Sequence, residues 1–191
     1  MLHRPALRAR LDADPRHEPA PGDRAAAVLA LIVDDEEPAI LFTERARSMS
    51  RHAGEVSFPG GLRDPGDVSL EATALREAHE ELGIEPGLVQ TLGALHPIHT
   101  YVSAILVTPF VGVVDALPEL APSEAEIARA FTVALSTLTE VEERRVLHVD
   151  ASGTFHGWWY EIPDATIWGA TGFMLHALLG LLKDESSWIS A

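Results

Sequence analysis

The apolar run AAAVLALIV, residues 25–33, is the feature that most limits what this chain can fold into. An unbroken run of this kind has no polar side, which is typical of a strand that is buried on both faces. The segment DDEEP then marks a turn, and AILFTER, residues 39–45, is predicted to be the returning strand. A strand with two buried faces needs a covering layer on each side of its sheet.

Further strands and helices follow in an irregular order. Ser69 suits the N-cap of a helix, and Gly83 suits the position just after its last turn. Residues 46–67 are predicted to form a long loop rich in Gly and Pro, and loops of this length are usually functional. The irregular order predicts a mixed sheet with helices packed on its faces. Strands are expected at 89–95, 104–114, 145–149 and 154–162, with a strand and a short turn in 126–138 and a last helix over 166–182.

Composition narrows the class of protein and its partners. A chain of 191 residues with 47% apolar content predicts one globular domain, residues 25–191, preceded by an N-terminal arm, residues 1–24. The absence of cysteine excludes disulfides, thiolate metal sites and cysteine nucleophiles. A formal net charge of -15 repels phosphate backbones, so nucleic acid is not an expected partner. A small anionic ligand remains compatible with this charge if metal ions reverse its sign locally.

No targeting or membrane segment is expected either. The arm has no apolar run of signal-peptide length. The most apolar stretch, residues 167–182, is short for a membrane span and is interrupted by Gly169, Gly172 and His176. We therefore expect a cytoplasmic protein with no membrane partner.

The segment ALREAHEELGI, residues 74–84, places three carboxylates close together near the end of the predicted helix. Glu77 shares a helix face with Glu80 and Glu81, so the three repel one another at the end where the helix dipole also disfavours them. No lysine lies in residues 69–85 to balance the charge. Oxygen ligands of this kind suit a hard divalent cation such as Mg²⁺, and Arg76 is placed to hold one carboxylate in position.

The surrounding residues 60–84, GGLRDPGDVSLEATALREAHEELGI, resemble the Nudix box, G-x5-E-x7-R-E-U-x-E-E-x-G-U with U aliphatic. The second half matches closely. In the first half Gly61 lies one residue farther from Arg76 than in the pattern, and Asp67 stands six residues after Gly61 where the pattern has a glutamate. The resemblance implies an α/β fold of the α+β type, a Nudix-like α/β/α sandwich with a mixed sheet between helices. It also implies a hydrolase of phosphoric anhydride bonds in nucleoside diphosphate derivatives.

The resemblance also assigns roles to residues of the box. It implies that Glu77, Glu80 and Glu81 bind Mg²⁺ or Mn²⁺, that Arg76 orients them, and that a backbone carbonyl of the Gly60–Gly61 turn completes the shell. The attacking water also needs a base or an orienting carboxylate. Glu126 is the first candidate because it matches a glutamate that often opens the corresponding strand in one subfamily. Glu124, Glu77 and Glu80 are the alternatives. The predicted catalytic residues are therefore Glu77, Glu80, Arg76 and Glu126, and the predicted metal ligands are Glu77, Glu80, Glu81 and Gly61.

A second motif narrows the substrate. LFTERARSMSRHAGEVSFPGG, residues 41–61, resembles the segment that precedes the box in coenzyme A pyrophosphatases, L-L-T-x-R-S-x3-R-x3-G-x3-F-P-G-G. This resemblance implies cleavage of coenzyme A to adenosine 3′,5′-bisphosphate and 4′-phosphopantetheine. The densest basic run outside the N-terminal arm lies here, and the planar fork of arginine suits phosphate. The predicted substrate-binding residues are Arg45, Arg47, Arg51 and His52.

Two other functions remain open from the sequence. One keeps the chemistry but changes the substrate to ADP-ribose, NADH, a dinucleoside polyphosphate or a nucleoside triphosphate. The other is a domain without catalysis that senses a nucleotide through a partner, which the presence of all three box glutamates and the lack of a DNA-binding module disfavour. The apolar groups of the last helix either pack internally or form a homodimer.

Overall fold

The computed structural model of the protein describes residues 2–13, 19–20, 22–46, 54–100, 104–150 and 153–183. The strands of the main sheet occupy the first two-thirds of this part of the chain, and a smaller sheet follows. The elements are α1 (Arg4–Arg10), β1 (Arg24–Val33), β2 (Ala39–Arg45), β3 (Val56–Ser57), β4 (Gly60–Leu62), α2 (Leu70–Leu82), a 3-10 turn (Pro86–Leu88), β5 (Gln90–Ala94), β6 (Ile98–Thr100), β7 (Ile105–Val114), β8 (Ile127–Ala134), α3 (Leu135–Glu140), β9 (Glu142–Asp150), β10 (Gly153–Ile162), β11 (Ala165–Ile167) and α4 (Gly169–Lys183).

The main sheet is mixed. β1 runs parallel to β7 along its whole length, with Arg24 beside Ile105 and Val33 beside Val114. All other pairings in this sheet are antiparallel, including β5 and β6 on β7 and β8 on β2. A separate antiparallel sheet has the order β11-β10-β9.

The edge of β1 opposite β7 is shared by two different strands. Its carboxyl end pairs with β2, with Ile32 beside Ile40, and its amino half pairs with β4, with Ala27 beside Gly61. Between the two, the N–H of Leu29 donates to the carbonyl of Pro59 at 2.8 Å. The segment that holds β3 and β4 therefore crosses from β2 to β1 and carries its glycines to the middle of the sheet.

Two apolar cores lie on opposite faces of the main sheet. On one face, Ala74, Ala78 and Leu82 of α2 pack against β1 residues such as Leu29 and Leu31. On the other face, α1, α4 and the small sheet enclose a larger core. The predicted strand that is buried on both sides and the predicted mixed sheet between helices are therefore confirmed.

The sequence missed the elements that depend on distant partners. The predicted loop over 46–67 is wrong in part, because β3 and β4 lie inside it and form only by pairing with β2 and β1. In the predicted arm, α1 buries Leu7 completely in the same core as α4. The division into an arm and a domain stays a prediction. None of the helices within the described ranges combines the length and the hydrophobicity that a membrane crossing requires.

Candidate active site

Helix α2 is fixed at both ends and along one side. The hydroxyl of Ser69 accepts a hydrogen bond from the N–H of Ala72 at 3.0 Å, which caps the start of the helix. Gly83 has a left-handed backbone with φ of 73°, as the predicted end of the helix requires. The buried side of the helix is held on the sheet, so the glutamates of its second half have fixed positions relative to β4.

The two glycines of β4 allow that helix to come close to the sheet. A Cβ at Gly60, where φ is 154°, would lie 2.4 Å from the carbonyl oxygen of Ala27. A Cβ at Gly61 would lie 2.6 Å from the carboxylate of Glu77. The backbone N–H of Gly60 also donates to Oε2 of Glu81 at 3.1 Å. Two predicted metal ligands, Glu77 and Glu81, therefore lie directly against the Gly60–Gly61 backbone.

Arg76 links the carboxylates of this region. Its Nη2 donates to Oε1 of Glu77 at 2.9 Å, and its Nη1 donates to Oε2 of Glu80 at 2.8 Å. A further bond from Nη2 reaches the carbonyl of Leu62 at the end of β4, at 3.2 Å. The structure thus brings Arg76, Glu77 and Glu80 together, and the guanidinium ties the helix to the strand below it.

Asp67 completes this network. The sequence placed it where the pattern has a glutamate, but it was not among the predicted site residues. Its carboxylate accepts two hydrogen bonds from Arg76, at 2.9 Å from Nε and 3.1 Å from Nη2. It also accepts from the hydroxyl of Thr73 at 2.8 Å and the N–H of Asp64 at 2.9 Å. These donors, the hydrogen bonds from Arg76 first, hold the pKa of Asp67 well below its usual range. Asp67 therefore anchors Arg76 although the box is one residue longer here.

Burial disfavours the ionised form of two of the carboxylates. Only 4% of Glu81 is exposed, and burial is the main cause that raises its pKa to about 7, with the neighbouring Glu77 and Glu126 adding repulsion. The Gly60 N–H and Arg45 act in the opposite direction. Burial also raises the pKa of Glu77, against the pull of Arg76. The side chain of Glu80 lies nearer the surface, with 57% of it exposed.

The structure brings one of the predicted substrate residues and the predicted base near these carboxylates. Glu126 lies in the turn before β8, and its charge raises the pKa values of both Glu77 and Glu81. Its backbone carbonyl accepts from the N–H of Ala46, which follows Arg45 at the end of β2. Arg45 itself acts electrostatically on Glu81. The other predicted substrate residues, Arg47, Arg51 and His52, lie outside the described residues.

The donor set fits a hard divalent cation in its chemistry. Carboxylate oxygens and backbone carbonyls are the ligands that Mg²⁺ and Mn²⁺ prefer. The bare glycine backbone under Glu77 leaves room that a side chain would fill. Within the described ranges, however, no three acidic or histidine side chains already form a metal-binding group.

Comparison with known proteins identifies the class to which this site belongs. Residues 23–147 match the model of the NUDIX domain. A protein of Photorhabdus laumondii named "Uncharacterized Nudix hydrolase NudL" is 40% identical over 159 residues, which cover 82% of this chain and 83% of the relative. A protein of the same name from Pectobacterium atrosepticum is 36% identical over 181 residues, 93% of each chain. The chain therefore belongs to the Nudix family.

Solved structures agree on the fold. The NUDIX domain of Shewanella oneidensis NrtR, solved with ADP ribose, has a TM-score of 0.55 at 15% identity and covers 89% of this chain and 94% of its own. The Nudix hydrolase RenU of M. smegmatis has a TM-score of 0.52 at 21% identity and covers 61% and 74%. The predicted Nudix-like sandwich and the prediction of a pyrophosphohydrolase enzyme are confirmed.

Proposed function

We propose that this Nudix hydrolase cleaves the pyrophosphate of coenzyme A or its derivatives, to adenosine 3′,5′-bisphosphate and 4′-phosphopantetheine, with Mg²⁺ or Mn²⁺. The observation that carries the hydrolytic part is the position of Glu77 and Glu81 against the Gly60–Gly61 backbone, with Arg76 and Glu126 beside them. The substrate part rests on the 41–61 motif, whose resemblance to coenzyme A pyrophosphatases is independent of the box.

Glu77, Glu80, Glu81 and the carbonyl of Gly61 would hold the metal. When bound, the ion neutralises charge on the pyrophosphate and lowers the pKa of the attacking water. Glu77 and Glu81 are well suited to this because repulsion and burial disfavour their ionised forms when no metal is bound. A divalent cation relieves both.

Arg76 positions these carboxylates and does not itself need to reach the substrate. Asp67 fixes one edge of its guanidinium, so the donors that face Glu77 and Glu80 have a defined direction. Such preorganisation places charges before the reaction begins. Glu126 is the proposed base or orienting carboxylate, because it lies outside this hydrogen-bonded network and yet close enough to affect both buried glutamates.

Of the predicted substrate residues in the 41–61 motif, Arg45 is the one that the structure describes, and it lies near the box carboxylates. It ends β2, one residue before the backbone bond between Ala46 and Glu126. An arginine at this place can meet a substrate phosphate while the metal meets the pyrophosphate. Arg47, Arg51 and His52 are proposed to serve the same phosphates.

A substrate comparison tests the proposal. Turnover of coenzyme A, ADP-ribose, NADH, a dinucleoside polyphosphate and a nucleoside triphosphate should be measured with Mg²⁺ and with Mn²⁺, and the products identified. We expect coenzyme A to rank first and to yield 4′-phosphopantetheine. A much better rate with ADP-ribose or another compound would overturn the substrate, while no metal-dependent product from any of them would favour a sensing domain.

Two further features of the protein stay predictions. The apolar last helix led us to expect a possible homodimer, yet Met174, Leu175, Leu178 and Leu179 of α4 are buried within the chain. The small sheet and the start of α4 still expose Trp168 and Phe173 in part. A cytoplasmic location is proposed on the sequence alone.

A further inference from the structure

The carboxyl end of α2 and the loop between β7 and β8 are joined by backbone hydrogen bonds. The last carbonyls of a helix have no partner within the helix and must find one elsewhere. Here the carbonyl of Leu82 accepts from the N–H of Ala121 at 2.8 Å. The carbonyl of Glu81 accepts from the N–H of Ser123, also at 2.8 Å. The 121–123 segment of the loop therefore lies on the end of the helix that carries the predicted metal ligands.

The same segment fixes the turn that holds Glu126. The carbonyl of Ser123 accepts from the N–H of Glu126 at 2.9 Å and from that of Ile127, the first residue of β8, at 2.8 Å. Two backbone hydrogen bonds thus lead from Glu81, a proposed metal ligand, through Ser123 to Glu126, the proposed base. On its other side, the carbonyl of Glu126 accepts from the N–H of Ala46 at 2.8 Å. The backbone of the proposed base is therefore held both by α2 and by the end of β2.

We propose that the 121–123 segment positions Glu126 against the box carboxylates, and that Gly83 leaves the space which this segment occupies. The proposal rests on the proposed function, in which Glu126 is the base or orienting carboxylate for the attacking water. It adds how the base is held at a fixed place relative to the metal ligands. It also assigns to Gly83 an effect on the reaction that is exerted through the loop.

The space beside Gly83 is limited by the loop. A Cβ at this position would lie 3.0 Å from the Cβ of Ala121, while the backbone N and Cα of Ala121 would lie at 3.5 and 3.7 Å. A contact of 3.0 Å is shorter than packed side chains normally accept, so the neighbour has to move by a few tenths of an ångström. A side chain at Gly83 would therefore push the 121–123 segment, and with it the turn of Glu126, away from the helix.

The side chains of the loop do little to hold it in place. Leu120 is partly buried against the core on the α2 side of the sheet, whereas Ala121, Pro122 and Glu126 are exposed. A segment with few buried apolar contacts depends on its hydrogen bonds for its position. Because a small misplacement of a catalytic group slows a reaction, a shift of this segment should lower kcat more than it weakens substrate binding.

The test pushes the loop with Gly83→Ala and relieves the contact with Ala121→Gly in the same chain. We expect Gly83→Ala to lower kcat about fivefold with KM nearly unchanged. The unfolding midpoint should also fall, because alanine is strained at the φ of 73°. The double variant should regain kcat to within about twofold of the wild type while its midpoint stays low, since the new Cβ then meets only loop backbone at 3.5 Å. Ala121→Gly alone keeps its N–H and should have the wild-type kcat.

Two comparisons separate the loop from backbone strain and from the rest of the site. Gly169→Ala introduces strain at a φ of 63° with no atom within 4 Å of the new Cβ, so it should lower the midpoint and leave kcat unchanged. Glu126→Gln should itself lower kcat by about 10²-fold. Adding Gly83→Ala to it should have no further effect, because the group that the loop positions is already removed. Gly83→Asn makes the same contact with a residue that tolerates left-handed backbone, and it replaces the alanine variant if that one does not fold.

Rates should be measured with Mg²⁺ and coenzyme A, or with the compound of the substrate comparison that the wild type cleaves fastest. The inference is wrong if Gly83→Ala keeps the wild-type kcat, if Ala121→Gly does not restore it, or if Gly83→Ala slows Glu126→Gln as much as the wild type. A wild-type rate in Glu126→Gln would also overturn it, because the loop would then position no base. A wild-type protein that cleaves none of the compounds would refute the proposed function itself, and with it this inference.

Discussion

Two glutamates of this protein are largely buried, and their pKa values are shifted in opposite directions. Glu142, at the start of β9, has 11% of its side chain exposed and accepts hydrogen bonds from Tyr160 at 2.8 Å, His176 at 3.0 Å and Lys183. Burial opposes its ionisation, but these three donors outweigh it and lower its pKa. Glu81 is as deeply buried, receives the Gly60 N–H at 3.1 Å, and has a raised pKa.

We interpret the difference as one of role: Glu142 supports the fold, and Glu81 is the proposed metal ligand. Glu142 joins α4 to the small sheet, where Trp158 also stacks on His176 with 3.6 Å between ring centres. All of its partners come from the chain. Glu81 faces two other carboxylates, and a cation from solution is the partner that would make its charge favourable. Substitutions in the box should therefore change activity, and substitution of Glu142 should change stability.

The largest expected effect is the loss of activity in Glu80→Gln. Glu80 is exposed and bonds only to Arg76 within the box network, so its amide should leave the fold intact. Removing this proposed metal ligand should lower kcat by about 10²- to 10³-fold, because a bound ion would stabilise charge that develops in the transition state. Steady-state rates with Mg²⁺ and thermal unfolding should be measured together.

Glu71→Gln is the control for that variant. Glu71 lies on the same helix, is exposed, and is outside the network of Arg76. Its amide should retain the wild-type rate. Near wild-type turnover in Glu80→Gln would remove this residue from the metal site.

The next effect concerns the stability of the metal-free protein at different pH values. Since the pKa of Glu81 rises from its ordinary 4.5 to about 7 on folding, the folded state binds a proton that the unfolded state releases. Stability should therefore fall as pH rises from about 4.5 to about 7, by at most about 3 kcal/mol. Urea unfolding in EDTA should show this fall in the wild type.

Glu81→Gln should lose that pH dependence and be the more stable protein above pH 7 in EDTA. Its amide oxygen can still accept from the Gly60 N–H, so the fold keeps this bond. Mg²⁺ should stabilise the wild type much more than the variant. Equal pH profiles for the two proteins would show that burial of Glu81 does not strain the metal-free state.

The third effect is expected at Glu142, and it concerns the stability of the protein instead of its activity. Glu142→Gln removes the charge that Lys183 and His176 contact and disturbs the bond from buried Tyr160. We expect a loss of about 2 kcal/mol in the free energy of unfolding at neutral pH, with kcat of the folded protein unchanged. The lowered pKa of Glu142 means that its contribution is present above about pH 4.5 and declines as pH falls below it.

The control for this variant is Glu143→Gln, which removes an exposed ion pair with Arg145 on the same strand. Its unfolding midpoint should equal that of the wild type. A large loss of kcat in Glu142→Gln without a loss of stability would contradict the division between the two glutamates.

The sequence predicted the surroundings of Glu81 much better than those of Glu142. Ser69, Gly83 and the apolar face of α2 are local signals, and the helix forms where they predicted it. The spacing of Glu77, Glu80 and Glu81 within one helix also follows from local geometry. Glu142 carried no such signal, because its donors come from β10 and α4, which meet β9 only in the folded chain.

Asp67 shows the same limit inside the box itself. The box of this chain is one residue longer than the pattern, and Asp67 has a shorter side chain than the glutamate of the pattern. From the sequence, both differences are departures from the pattern. The turn that begins at Asp64 brings the carboxylate back to Arg76, and no spacing rule gives that return. Strands β3 and β4 were missed for a related reason, since segments of two and three residues are stabilised by pairing and not by their own pattern.

The smallest expected effect tests whether the position of one carboxylate is enough to define the site. A Cβ at Gly61 would meet the flexible end of the Glu77 side chain at 2.6 Å, so Gly61→Ala should fold but displace that carboxylate. We expect about a tenfold loss of kcat with little change in unfolding temperature, because small displacements of positioning groups slow catalysis. Gly87→Ala, where a Cβ meets no atom within 4 Å, is the matched control and should change neither quantity. An unchanged rate in Gly61→Ala would mean that Glu77 acts from another position, and that its contact with the glycine backbone belongs only to the metal-free protein.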